Sequence, residues 1–182
     1  MFDPTVFDNL KVAFENQLYD LDTLDETIQI TGRKDTMEMS VMGRAFSLSF
    51  HLTGQEAVTA ELRLKASLKE LAAELLELTG EAPGCELSLL FHMKMTNFEQ
   101  QCPQIEAVFQ RIWPENPIPV QTLSFIYTEG QTVHQNEIKL TFKRKINEEQ
   151  MEDIPSLLEH VLLTLRALVE ASAASNASTQ LD

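Results

Sequence analysis

Residues 85–95 read CELSLLFHMKM, and this alternation of apolar and polar side chains decides the fold class. Successive side chains of a β-strand point to opposite faces of a sheet. The segment therefore predicts a strand whose apolar face carries Leu87, Leu89, Phe91, Met93 and Met95. The opposite face carries Glu86, Ser88, Leu90, His92 and Lys94.

The same segment raises the question of a metal site, because cysteine, histidine and methionine are the ligands that soft metal ions prefer. The sequence MEMSVM at 37–42 alternates in the same way, so paired strands could gather Met39, Met93 and Met95 around copper(I). However, alternation places the methionines with the aliphatic side chains, where thioethers fill irregular gaps, and turns His92 away from them. We therefore expect core packing, with no metal and no cofactor.

Alternation recurs along the rest of the chain. It is found in TIQIT, KDTMEMSVM, AFSLSFHL and EAVTAELRLKA between residues 27 and 66, and in TLSFIYT and NEIKLTFKRK between residues 122 and 145. These segments predict strands, the last two as a hairpin, although EAVTAELRLKA could also form a helix. Helical spacing of apolar residues predicts four helices, at about 4–17, 67–80, 103–113, and from 148 or 153 to 171.

This order of elements predicts an α+β fold with a largely antiparallel sheet of about five to seven strands and helices packed on one face. The length favours a single domain over residues 1–171. The tail 172–182 has small polar residues without periodicity, so we expect it to be disordered. The second helix is marked by a capping box at Ser67 and Glu70 and by the apolar stripe of Leu68, Leu71, Ala72 and Leu75.

Charge and composition exclude several classes of function. The chain has a net charge of −14, which repels phosphate backbones and anionic lipids, so we expect no nucleic acid and no membrane partner. The two cysteines lack CxxC spacing and are interpreted as reduced thiols. The first residues lack a basic region followed by an apolar one, and no run of about 18 apolar residues occurs, which predicts a cytoplasmic protein.

The common catalytic and phosphate-binding motifs are missing, which leaves one candidate for acid–base chemistry. His51 and His92 both fall on the predicted polar face, near several serines. If their strands were neighbours, they could form an acid–base pair beside hydroxyl groups. Exposed strand residues are the alternative interpretation.

Basic side chains lie on the predicted polar strand faces, although the whole chain is acidic. They are Arg63, Lys65, Lys94, Lys139, Lys143 and Lys145. In one interpretation they pair with glutamates across the strands and keep sheet edges from aggregating. In the other, they receive an acidic segment of a protein partner or the sheet of a second subunit.

The last predicted helix carries a wide apolar stripe. Its members are Ile154, Leu157, Leu158, Val161, Leu162, Leu165, Leu168 and Val169. Such a stripe exceeds what one sheet face usually needs, so the helix is either deeply buried or also contacts a second subunit. A homodimer through this helix is the second possibility.

Together these features favour a non-catalytic protein-interaction protein, an adaptor or a chaperone-like factor, that presents an open polar sheet face. The element order and the acidic pI of about 4.6 resemble those of small secretion chaperones, an analogy of fold that implies the holding of client segments on sheet and helix surfaces. The alternative is a small-ligand-binding or enzymatic domain with a pocket between sheet and helices.

Overall fold

Four α-helices and six strands follow one another in the computed structural model, which describes residues 5–116, 118–128, 130 and 133–178, with side chains up to residue 174. The α-helices are α1 (Val6–Thr23), α2 (Leu68–Leu75), α3 (Phe98–Ile112) and α4 (Ile154–Ser178), the last preceded by a 3₁₀ turn at Glu148–Asp153. The strands are β1 (Ile28–Glu38), β2 (Gly43–Leu52), β3 (Gln55–Ala66), β4 (Glu86–Met95), β5 (Val120–Ser124) and β6 (His134–Thr141).

The six strands form one antiparallel sheet in the order β1-β2-β3-β4-β6-β5, so the predicted α+β class is confirmed. EAVTAELRLKA is a strand rather than a helix, and it forms most of β3. The β1 and β5 strands are the two edges. The predicted hairpin near the C-terminus is also present, as β5 and β6.

The core lies between one sheet face and helices α1, α3 and α4. The side chains predicted for the apolar face of residues 85–95 are all buried there, with Phe91 packed edge-on against Phe109 of α3. Helix α1 contributes buried residues at helical spacing, at Phe7, Leu10, Phe14 and Leu18. One face of the sheet is therefore dry, as the two-residue period predicts.

The wide apolar stripe of α4 is largely covered within the chain. Ile154, Leu158, Val161, Leu165 and Leu168 are buried in the core, and the other members of the stripe are half-buried against it. Of the apolar residues of α4 whose side chains are described, Leu163 is exposed. The stripe thus gives little support to a dimer through α4.

The interpretation of Met37, Met39 and Val41 as core residues is wrong. The β1 strand ends at Glu38, and residues 39–42 form a turn in which Met42 adopts a positive φ of 54°. Met39 is 71% exposed there. Alternation continues past the end of the strand in this segment, and a pattern of period two cannot mark where a turn begins.

Helix boundaries also differ from the prediction, and α2 ends at Leu75 instead of continuing to about Gly80. Helix α1 runs on to Thr23, since Leu18 and Leu21 continue its apolar stripe. Helix α3 begins before Pro103, because the side chain of Asn97 accepts a hydrogen bond from the N–H of Gln100 and caps the helix there.

Helix α4 continues to Ser178, so the tail that was predicted to be disordered begins inside it, while residues 179–182 lie outside the described residues. Alanine, which recurs in this segment, has the highest helix propensity.

The predicted N-cap of α2 is confirmed, but the predicted apolar stripe is wrong. Ser67 caps the helix and accepts a hydrogen bond from the N–H of Glu70. Leu71 packs partly against the core, but Leu68 and Leu75 are exposed, and Ala73 is buried instead. An eight-residue helix at the end of the sheet contacts too little apolar surface to cover a full stripe.

Candidate functional site

The second face of the sheet, opposite the helices, is the candidate site, and we call it the open face. We define it by the outward side chains of β3, β4 and β6. These are Thr59, Glu61, Arg63, Lys65, Glu86, Ser88, Leu90, His92, Lys94, Gln135, Glu137, Lys139 and Thr141. Every second residue of each strand points to this face, so the alternation that builds the core also builds the site.

A charged cluster lies at the centre of the open face. Glu61 accepts two hydrogen bonds from Arg63, at 3.1 Å from Nε and 2.8 Å from Nη2, and its other oxygen lies 3.5 Å from Nε2 of His92. His92 first, then Arg63 and the Ser47 hydroxyl, lower the pKa of Glu61 to about 2, although burial acts in the opposite direction. Glu61 is therefore an anion that its neighbours hold in place.

The floor of the open face is less polar and less accessible than the sequence suggests. Leu90 is fully buried although it points to this face, and Ser47 and Ser88 are buried with it. The register places Leu90 between Glu61 and Lys139. Long side chains can cover an apolar neighbour with their stems while their charges stay in water. The face is thus a layer of charges over a small buried floor.

His51 and His92 do not form an acid–base pair. His51 belongs to β2 and His92 to β4, with β3 between them, which separates their backbones by about 10 Å. His51 is buried, and its Nδ1 lies 2.9 Å from the carbonyl oxygen of Leu52. His92 is partly exposed and contacts Glu61 instead. The two histidines remain predicted site residues at two separate places.

Four of the six predicted partner-binding residues lie on the open face, namely Arg63, Lys65, Lys94 and Lys139. Arg63 is already paired with Glu61. In the part of the chain that the structure describes, no carboxylate lies within ion-pair distance of Lys65, Lys94 or Lys139. These three ammonium groups are available to an outside anion.

The other two predicted residues, Lys143 and Lys145, follow the end of β6. Lys143 is exposed. Lys145 donates to Glu70 of α2, whose other oxygen accepts a hydrogen bond of 2.8 Å from the N–H of Gly84. The hydrogen bond that Lys145 donates to Glu70 raises the pKa of Lys145. Lys145 therefore joins α2 to the strand ends and acts within the fold.

The geometry around His92 offers a contact with Glu61 but not a nucleophile. Nucleophilic catalysis by a hydroxyl needs that group within hydrogen-bond reach of a base. Among the described residues, no hydroxyl is hydrogen-bonded to His92. A surface hollow of about 540 Å³ lies beside it, lined in part by Thr59, Lys94 and Gln135. The hollow lies at the surface and opens to solvent.

The methionines do not converge. Met93 and Met95 are buried in the core at the end of β4, while Met39 lies in the β1–β2 turn at the opposite end of the sheet. Within the described ranges, no group of three or more histidine, cysteine, aspartate or glutamate residues could hold a metal ion. Core packing is the role that this geometry gives to Met93 and Met95.

An exposed apolar segment around β5 was not anticipated. Phe125, Ile126 and Tyr127 are 63 to 89% exposed, and Ile118 and Val120 are also exposed. TLSFIYT was interpreted only as a strand. Two features of the sequence could have shown more: residues 118–128 carry no charge, and the three consecutive apolar residues break the alternation.

Comparisons with protein-family models, with curated proteins and with solved structures found no match to this chain. Among the described helices, none has the length and apolar character required to cross a membrane.

Proposed function

We propose that this protein is a non-catalytic, cytoplasmic interaction protein, an adaptor or chaperone-like factor, that binds an acidic segment of a protein partner on the open face. The observation that carries the proposal is the set of ammonium groups at Lys65, Lys94 and Lys139, which have no ion-pair partner among the described residues and lie on the sheet face opposite the described helices. Surface cations of this kind attract acidic partners and raise the rate of encounter.

The contrast with the rest of the molecule supports the proposal. The chain carries 28 acidic and 14 basic residues, yet the open face has more basic than acidic side chains. An acidic segment is therefore repelled by most of the surface and attracted by this part of it. Charge patterning of that kind selects the docking position as well as the partner.

The test replaces Lys65, Lys94 and Lys139 with glutamate and measures retention of proteins from the native cytoplasm by quantitative mass spectrometry. We expect the proteins that bind through the open face to be retained at least tenfold less, because each contact between exposed opposite charges becomes a repulsion. The same proteins should be released from the wild type by added salt, since screening weakens such contacts.

A matched control replaces Lys69, Arg111 and Arg166 with glutamate. These residues are exposed on α2, α3 and α4, away from the open face, and the change in net charge is the same. Equal loss of retention in both triple variants would mean that only net charge matters. Full retention by the open-face variant would place the contact elsewhere.

Two further possibilities have less support. An enzymatic or ligand-binding domain would use His92 and Glu61 beside the surface hollow, and its test is hydrolysis of simple esters that is lost in His92→Ala. A homodimer through α4 would use Leu163, which is 50% exposed while the main stripe is buried in the core. Replacing Leu163 with glutamate would break such a dimer.

A further inference from the structure

The outer side of β5 is an unpaired sheet edge. The order of strands ends at β5, which pairs with β6 on one side only. Within the described ranges, no strand pairs with the other side. An edge strand presents backbone N–H and C=O groups that can pair with another chain.

The other edge of the sheet carries charges and a register shift, and β5 has neither. The β1 strand carries Arg33, Lys34 and Asp35, and its register shifts between Ile30 and Gly32, as at a β-bulge. Two of its charges also bind α1: Arg33 pairs with Glu15, and Lys11 pairs with Asp35. Charges and bulges keep an edge from pairing. By contrast, Val120–Ser124 is uncharged and has continuous register with β6.

Apolar side chains flank this edge on both ends of the strand. Ile118 precedes the strand and Val120 begins it. The strand is followed by Phe125, Ile126 and Tyr127, and all five side chains are exposed. A ladder of five residues buries little apolar surface by itself. Packing of these side chains adds the apolar burial that backbone hydrogen bonds do not provide. Consecutive exposed aromatic and aliphatic residues mark protein interfaces.

The absence of charge indicates what covers the edge. A second copy of this chain carries the same charge of −14 and is repelled by most of the surface. Residues 118–128 carry no charged side chain, so this segment does not repel a second copy. A strand can also pair antiparallel with itself about a two-fold axis, which brings like residues together and forms a closed dimer. An acidic partner, by contrast, would find no cation on this edge.

We propose that the chain forms a homodimer in which the β5 strands of two copies pair antiparallel, so that two sheets become one. Phe125, Ile126 and Tyr127 of each copy pack at the ends of the paired strands. This interface does not depend on the proposed function of the open face, and it replaces α4 as the site of self-association.

The first experiment measures mass by sedimentation equilibrium of the full chain across the micromolar range. We expect a dimer of twice 20.6 kDa in the wild type. Thr122→Lys should raise the dimer dissociation constant at least tenfold, because the two introduced charges would meet across the axis. The fold should be retained, since the side chain of Thr122 is exposed.

Leu163→Glu is the matched control, an added charge on the exposed surface of α4. Unchanged dimerisation in this variant supports the β5 interface. Loss of the dimer in Leu163→Glu with retention in Thr122→Lys would overturn the proposal in favour of α4. A 20.6 kDa monomer at every concentration would also overturn it.

The second experiment places single cysteines at residues 120 to 124 in a Cys102→Ser background. Paired antiparallel strands bring opposite Cα atoms to about 5 Å, within the roughly 4.4–6.8 Å that a disulfide spans. We expect the yield of oxidised dimer to peak inside the strand and to fall on both sides. A uniform low yield would contradict the paired geometry.

Discussion

At the scale of single residues, Glu61 has an environment unlike that of a solvated surface carboxylate. It lies on an exposed sheet face, but Arg63 and His92 donate to its two oxygens and Ser47 adds a third contact. A carboxylate that accepts several charge-assisted hydrogen bonds is favoured in its ionised form. The open face is thus organised around one fixed anion.

Glu61→Gln should make stability less sensitive to acid. The pKa of Glu61 falls from an ordinary value of 4.5 to about 2 on folding, so its contribution to stability is complete above pH 4.5 and is lost as the pH falls towards 2. We expect a loss of about 1 kcal/mol at neutral pH, because the cluster is partly exposed to solvent.

Urea unfolding of the wild type and the variant on both sides of pH 4.5 measures this effect. Glu56→Gln, an exposed glutamate of β3, is the control. An equal change in the acid sensitivity of both variants would show that net charge, not the cluster, is responsible.

At the scale of elements, one buried hydrogen bond joins α4 to the end of α3. The indole N–H of Trp113 donates to the Thr164 hydroxyl at 2.9 Å, and that hydroxyl donates to the carbonyl oxygen of His160 at 2.8 Å. Trp113 also packs edge-on against Phe142, just beyond β6. This contact holds the helix layer in register with the sheet, and with it the position of the strands beneath.

Thr164→Val should destabilise the protein by about 1–3 kcal/mol, because it has nearly the same shape but leaves the buried indole N–H without an acceptor. Thr164→Ser keeps the hydroxyl and is expected to lose less. Since Trp113 is the single tryptophan of the chain, its fluorescence during urea unfolding reports the change directly. Equal losses in the two variants would show that the hydroxyl contributes no more to stability than the methyl group that Thr164→Ser removes.

The strands were easier to predict than the helix ends, and the reason is physical. A half-buried strand imposes a period of two on every residue, so Val58 to Leu64 and Leu87 to Met95 reveal their faces in the sequence alone. The end of a strand imposes no pattern, and this is why Met39 was placed in the core. Likewise Asn97 starts α3 through a side-chain hydrogen bond that no apolar periodicity records.

The site was predictable in composition but not in arrangement. The polar faces of β3 and β4 follow from alternation, which correctly selected Arg63, Lys65 and Lys94 as outward residues. Which strands are neighbours depends on the order β1-β2-β3-β4-β6-β5, in which β3 lies between β2 and β4, and this order comes from tertiary packing. The separation of His51 from His92 therefore needed the structure.

At the scale of the whole molecule, the uneven charge distribution gives the two proposed interfaces opposite responses to salt. Partner binding joins an acidic segment to basic side chains, so screening weakens it. Dimerisation brings together two chains of charge −14 along an uncharged edge, so screening relieves their repulsion.

We therefore expect added sodium chloride to raise the dimer fraction in sedimentation while it lowers partner retention on the same protein. The variant in which glutamate replaces Lys65, Lys94 and Lys139 is the control. Added salt should no longer lower its partner retention but should still raise its dimer fraction. If both interactions weaken together with salt, the dimer is held by charges and not by the β5 edge.

The order of strands has a consequence for how the chain folds. The β1, β2, β3 and β4 strands pair with their neighbours in sequence, and only the β4–β6 contact spans α3 and β5. Contacts that are close in sequence form early because they close short loops. The first four strands can thus assemble as a meander before the last hairpin docks. The uncharged β5 edge would then be the last part of the sheet to become ordered, and newly made chains would meet one another there.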